Sequence, residues 1–202
     1  MRRRALLVAV TAPAALAGCD RLGFGSPQRT AFNGVDITGA DYGRDLSLPD
    51  ADGRLRTLAD FAGKVTVVFF GYTQCPDVCP TTMAELAQLK RSLGADGERL
   101  QAVFVSVDPE RDRPEVLKSY LAAFDPSFVA LRGSPEQTAA AAKSFKVFYA
   151  KVPAKGGGAG YTVDHTAGSY VIDARGRLRL FERYGTRPEA LRDDLKRLLD
   201  GA

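Results

Sequence analysis

Two long apolar runs stand out from a chain whose other apolar positions mostly recur every three or four residues. Lys64 to Phe70 and Gln101 to Val107 are rich in Val and Phe and almost free of charge. Such runs predict strands buried on both faces. Between them Met83, Leu86, Leu89 and Leu93 keep a helical interval until Gly94 stops it. Pro114 opens a second helix through Leu117, Tyr120, Leu121 and Phe124, and an Ala-rich third spans Pro135 to Phe145. A short strand at Val129 to Leu131 separates these two. Val147 to Val152 reads as strand-like and leads into a glycine loop, Gly156 to Gly160. Two more strands, Gly168 to Asp173 and Arg177 to Phe181, are joined at Ala174-Arg175-Gly176, and a last helix runs from Pro188 to Leu199. Near the start, Leu46 to Leu48 and Leu55 to Leu58 flank Asp52-Gly53, a hairpin signature.

Parallel βαβ units followed by an antiparallel pair and a helix predict an α/β chain of thioredoxin-like order. The expected fold is a central mixed sheet flanked by helices, with an N-terminal β-hairpin. A short nucleotide-binding sheet is the alternative, but no G-x-G-x-x-G follows a strand and no G-x-x-x-x-G-K-[ST] occurs.

The first 40 residues are of another kind. Arg2, Arg3 and Arg4 precede the apolar stretch Ala5 to Leu16, too short for a spanning helix but suited to a secretory signal. Leu16-Ala17-Gly18-Cys19 resembles the lipobox of bacterial lipoproteins. That resemblance implies a signal peptide at 1–18, lipidation of Cys19, and an anchor on the periplasmic face of the inner membrane, Asp20 favouring retention there. Residues 19–40, with Gly23, Gly25, Ser26, Pro27 and Gly34, read as a flexible tether, and 41–202 as the folded domain. The 202 residues are 45% hydrophobic and 26% charged, which suits one globular domain with an appendage. The net charge of +4 falls to +1 without the leader's three arginines. That surplus is too small for a nucleic-acid binder, so no nucleic acid is expected as partner.

Three Cys, one His and no Trp leave few candidates for chemistry. Cys75 and Cys79 lie in Gly71-Tyr72-Thr73-Gln74-Cys75-Pro76-Asp77-Val78-Cys79-Pro80, where the first core strand passes into a helix. Helix N-termini stabilise thiolates, so this location makes the sulfurs reactive. A merely structural disulfide would close a loop of about five residues and contribute roughly 2 kcal/mol, little for a domain with its own core. His165, in Val163-Asp164-His165, lies after the glycine loop and just before a strand. In a thioredoxin-like fold that turn packs beside the reactive cysteines. Two thiolates and one imidazole are a soft set that suits Cu(I); zinc with an open water position stays open, as does Cu(II). Met83 continues a four-residue spacing from Cys75 and Cys79 and is weighed as a weak extra ligand against a place in the core. Tyr72 and Asp77 border the site, and Asp164 is a candidate for orienting the imidazole.

Cys75-Pro76-Asp77-Val78-Cys79-Pro80, Ser106-Val107-Asp108-Pro109-Glu110-Arg111-Asp112 and Val163-Asp164-His165, in this order, resemble the SCO/SenC family of copper-binding proteins over roughly residues 41 to 200. The resemblance implies a thioredoxin-like fold, copper held by Cys75, Cys79 and His165, and delivery to the copper-centre subunit of cytochrome c oxidase. Another periplasmic copper chaperone is a further partner to consider. Arg113 departs from the Thr common in relatives, in a segment expected to lie away from the ligands. The rival is a thiol–disulfide oxidoreductase using the pair Cys75 and Cys79 to reduce a partner's cysteines. A peroxiredoxin fits poorly, because Thr73 stands two residues before Cys75 rather than three.

Overall fold

The computed structural model describes residues 32–153 and 160–202. The leader, Cys19, most of the expected tether and Gly156 to Gly158 lie outside these residues. Among the described residues ten strands are formed: β1 (Val35–Asp36), β2 (Ser47–Pro49), β3 (Leu55–Thr57), β4 (Val65–Gly71), β5 (Leu100–Ser106), β6 (Val129–Leu131), β7 (Tyr149–Pro153), β8 (Tyr161–His165), β9 (Gly168–Ile172) and β10 (Leu178–Arg183). Four α-helices accompany them: α1 (Val78–Ser92), α2 (Pro114–Ala122), α3 (Pro135–Ser144) and α4 (Pro188–Leu199).

Six strands make one mixed sheet in the order β1-β10-β9-β4-β5-β6. β4, β5 and β6 run parallel, while β9, β10 and β1 join antiparallel. Every residue of β4 and of β5 is buried, as their uninterrupted apolar character requires. Phe69, Phe70, Phe104, Leu86, Leu117 and Leu195 are among the largest side chains sealed between sheet and helices. Each such burial stabilises the fold by about 1.5–3 kcal/mol. Proline at the first turn of α2, α3 and α4 fixes where each begins, and Ser134 with Gln137 caps α3 reciprocally. The mixed sheet, the flanking helices and the β2–β3 hairpin are as the pattern predicts.

Two details differ from the sequence reading. Val147 to Val152 and the segment holding His165 are one antiparallel hairpin, β7 with β8, paired from Tyr149 opposite His165 to Pro153 opposite Tyr161. His165 therefore ends a strand rather than hanging on a loop. The folded unit also begins earlier than residue 41, at Phe32. β1 pairs with β10, and the buried Asp194 of α4 accepts the backbone N–H groups of Asn33 (2.8 Å) and Gly34 (2.8 Å). The carboxylate satisfies amides that a mere tether would leave to water.

Beside that attachment lies Glu182, 3% exposed, with neither carboxyl oxygen hydrogen-bonded among the described residues. A Cβ on Gly34 would stand 2.2 Å from its Oε1, so any side chain there would have to displace the Glu182 carboxyl. Burial, and then the charge of Asp194, push the Glu182 carboxyl up to about 7. The native state thus keeps a proton that the unfolded chain has released, so this group's contribution to stability is full below the ordinary carboxylate range. It is lost as pH rises through about 7. We expect Glu182→Gln to remove a pH-dependent loss on the order of 3 kcal/mol between pH 4.5 and 7 in urea unfolding. An unchanged slope in the variant would assign the loss to other groups.

Candidate metal centre

β4 ends at Gly71, and the chain turns through Tyr72 to Asp77 before α1 begins at Val78. Cys75 lies in this turn, half-buried, and Cys79 is the second residue of the helix, fully buried. Both are free thiols. His165 arrives from the end of β8, its Nε2 3.4 Å from the Cys79 sulfur. One donor atom from each of Cys75, Cys79 and His165 lies within 4.8 Å of the other two. Cys75 and His165, but not the buried Cys79, line a depression of about 420 Å³ together with Tyr72, Pro76, Val78, Thr162 and Ala167 among others.

The proton inventory follows from these contacts. His165 Nδ1 is 3.2 Å from the carbonyl oxygen of Thr166, which can only accept, so Nδ1 carries the ring proton. Nε2 is the ring nitrogen turned towards the sulfurs. The rings of Phe69 and Tyr72 meet the imidazole edge-on, at 5.8 Å and 5.9 Å between centroids, and hold its plane. The two thiols share one proton. A hydrogen bond from Cys79 holds Cys75 well below the usual thiol range against the opposing effect of burial, with further help from His165 and the amides of Asp77 and Cys79. The same bond, together with burial, pushes Cys79 up. At neutral pH the pair is a half-exposed thiolate beside a buried thiol.

Gly71 is a site residue that sequence reading missed. A Cβ there would stand 2.8 Å from the Cys79 sulfur and 2.7 Å from a ring carbon of Phe69. We expect Gly71→Ala to cost about 1–3 kcal/mol by overpacking and to weaken metal binding several-fold by displacing that sulfur. Urea unfolding and metal competition on the same preparation test this; wild-type values in both would remove Gly71 from the site.

The Ser106–Asp112 segment is not away from the ligands, as expected, but buttresses them. Parallel pairing of β4 with β5 sets Gly71 opposite Ser106, so both turns leave the same edge of the sheet. The fully buried Asp112 accepts the Thr73 amide (3.1 Å), the Thr73 hydroxyl (2.6 Å) and the Ser106 hydroxyl (2.6 Å). Arg113 itself is exposed at the start of α2. Asp164 is exposed too, and the acceptor beside the His165 ring is the carbonyl oxygen of Thr166 instead. Cys75 precedes the helix, so the four-residue spacing does not place Cys75 on one helical face with Cys79 and Met83. Met83 is completely buried in the core. Asp77 receives the Tyr184 hydroxyl at 3.3 Å.

Residues 35–200 match the family model described as SCO1/SenC. The chain belongs to the SCO1/SenC family. It is similar to the SCO2-like protein of Rickettsia felis, 32% identical over 173 residues that cover 85% of this chain and 84% of that one. Among solved structures it resembles copper-bound ScoI of Bradyrhizobium japonicum, 40% identical with a TM-score of 0.67 over 83% of this chain and 99% of that one. Apo Sco1 of Thermus thermophilus is 42% identical, with a TM-score of 0.73 over 83% and 97% of the two chains. In this SCO1/SenC chain the donor set itself, two sulfurs and one imidazole nitrogen without a carboxylate, suits a soft metal ion and not magnesium or calcium.

Proposed function

We propose that this protein is a copper metallochaperone. It holds copper through Cys75, Cys79 and His165 and delivers it to the binuclear copper centre of cytochrome c oxidase during assembly. The observation that carries the reading is the convergence of two sulfurs and one imidazole nitrogen within 4.8 Å. Copper-bound and apo forms among the similar solved structures support it. Lipidation at Cys19 would keep the domain at the periplasmic face of the inner membrane, close to a membrane-embedded acceptor.

Binding requires both thiolates and neutral imidazole. Cys75 is held towards its thiolate form and Cys79 towards its thiol form, so the proton that Cu(I) displaces is that of Cys79. Cysteine and histidine donors can leave the metal one at a time, and the half-exposed pair Cys75 and His165 faces the depression through which an acceptor's donors would enter. Transfer then proceeds by exchange of ligands without change of oxidation state: an acceptor thiolate bonds to Cu(I) as the imidazole leaves, and the sulfurs follow. An anaerobic titration of reduced protein tests the reading, with one Cu(I) bound and about one proton released per chain near pH 7. A stoichiometry far from one copper, or copper bound equally well without the three side chains, would reject it.

One observation favours a second reading. An activated, half-exposed thiolate next to a buried thiol is also how a dithiol reductant is arranged. His165→Ala separates the two: a chaperone loses copper affinity, whereas a reductase keeps its thiol exchange.

A further inference from the structure

Arg111 occupies a position that the charge balance of its neighbourhood alone does not account for. Its Nε pairs with Asp108, which is fully buried. Its Nη1 donates in two directions, to the side-chain oxygen of Gln74 (3.0 Å) and to the backbone carbonyl of Tyr161 (2.8 Å). Gln74 immediately precedes Cys75, and Tyr161 opens β8, the strand that ends in His165. The guanidinium also lies 3.8 Å above the Tyr161 ring and 5.6 Å from the Tyr72 ring. Tyr72 is the ring that meets the imidazole edge-on. Tyr161 in turn donates its hydroxyl to Asp108 at 2.8 Å, which closes the arrangement. One planar cation thus touches the thiol turn, the imidazole strand and the aromatic ring between them. A lysine could keep the charge but not the fork.

We propose that Arg111 is a positioning residue for the third donor: it sets the gap between the thiol turn and β8 and thereby how firmly His165 holds the copper. The inference rests on the copper reading above. It gives the Asp-Pro-Glu-Arg-Asp segment a task distinct from ligation. Ligand exchange with an acceptor is governed by the weakest-held donor, so a residue that fixes the imidazole governs retention against release.

The test is a coupling experiment. Cu(I) affinity is measured by competition with bicinchoninate for wild type, Arg111→Lys, His165→Ala and the double variant. Cu(II)-thiolate absorption of each protein is recorded as a second readout. Arg111→Lys preserves a cation for Asp108; the pair Arg111→Met with Asp108→Asn, which removes both charges together, guards against a folding failure. We expect His165→Ala to weaken binding about 10- to 100-fold and Arg111→Lys up to about tenfold, with the absorption band shifted. In the His165→Ala background Arg111→Lys should add less than about twofold, because its effect passes through the missing imidazole. The neutral pair should reproduce that coupled loss. Wild-type affinity and absorption in both Arg111 variants, alongside a weakened His165→Ala, would overturn the positioning role and leave the copper reading standing. An equal loss from Arg111→Lys in both backgrounds would also overturn it, assigning Arg111 to the fold at large. Undiminished affinity in His165→Ala and in Cys79→Ser would defeat the copper reading itself.

Discussion

Cys79→Ser is expected to weaken Cu(I) binding by well over about 100-fold while leaving the apo fold within about 1 kcal/mol of wild type. The two halves of this expectation have separate causes. Serine keeps nearly the shape of cysteine at a position with no exposure, and its hydroxyl can donate to the His165 Nε2 that now stands 3.4 Å from the sulfur. The buried polar group therefore finds a partner, and little stability is lost. As a ligand, however, a hydroxyl stays protonated at neutral pH and is hard where the thiolate is soft. Loss of a soft thiolate donor should exceed the roughly 10- to 100-fold expected for loss of the imidazole, the donor that leaves first in transfer. Cys75→Ser should behave alike in affinity, although its half-exposed position makes the structural consequence smaller still. Competition with a chromophoric Cu(I) chelator, paired with urea unfolding of the same preparations, reads both quantities. Affinity within threefold of wild type in either variant would mean that the sulfurs do not hold the metal.

The parts of this fold that could be read from sequence are those whose residues report their own surroundings. Val65 to Phe70 carries almost no polar side chain because both faces of β4 are covered, and burial on both faces is what an uninterrupted run encodes. The cysteines were legible for a related reason: a strand that ends in glycine and a helix that opens around Val78-Cys79-Pro80 leave little doubt about the turn between them. β8 was not legible as a strand. Its five residues, Tyr161 to His165, are half exposed and follow a glycine-rich stretch, so no period or apolar run distinguishes them from loop. What makes them a strand is the partner β7, and pairing is a tertiary event. β1 is subtler again, two residues held by β10 and by the carboxylate of Asp194 from a helix 160 positions away.

The misplacement of the Ser106–Asp112 segment has a physical explanation that the sequence did contain. Parallel strands point the same way, so the C-terminal ends of β4 and β5 must lie side by side once the two are neighbours. Gly71 and Ser106 are opposite one another in that register. Whatever follows Ser106 therefore has to pack against whatever follows Gly71, which is the thiol turn. Asp112 and Arg111 are spaced to reach it, and the polarity of the buried Asp108 and Asp112 is the signal that their partners are protein groups rather than solvent.

That argument makes Asp112 the residue whose loss should cost the fold most around the site. Its carboxylate is completely buried and accepts from the Thr73 amide, the Thr73 hydroxyl and the Ser106 hydroxyl. Asp112→Ala leaves all three donors without their acceptor, the Ser106 hydroxyl in full burial and the Thr73 pair in a half-buried turn. At about 1–3 kcal/mol for a buried unsatisfied group, with neighbours that relax in part, the expected destabilisation is about 3–5 kcal/mol. Asp112→Asn is the informative partner. The amide oxygen can keep both Thr73 bonds, and the new amino group can donate to Ser106, whose hydroxyl also accepts from the Asp108 amide at 3.1 Å. The cost should fall to about 1 kcal/mol. Thr73 is two residues from Cys75, so the alanine variant should also free the thiol turn, and alkylation of Cys75 by iodoacetamide should lose the selectivity it owes to the fixed hydrogen bond from Cys79. Urea midpoints and alkylation rates across pH give both answers. Equal and small losses for alanine and asparagine would show that Asp112 does not anchor the turn; a large loss for both would show that its negative charge, and not its capacity to accept, is what the turn requires.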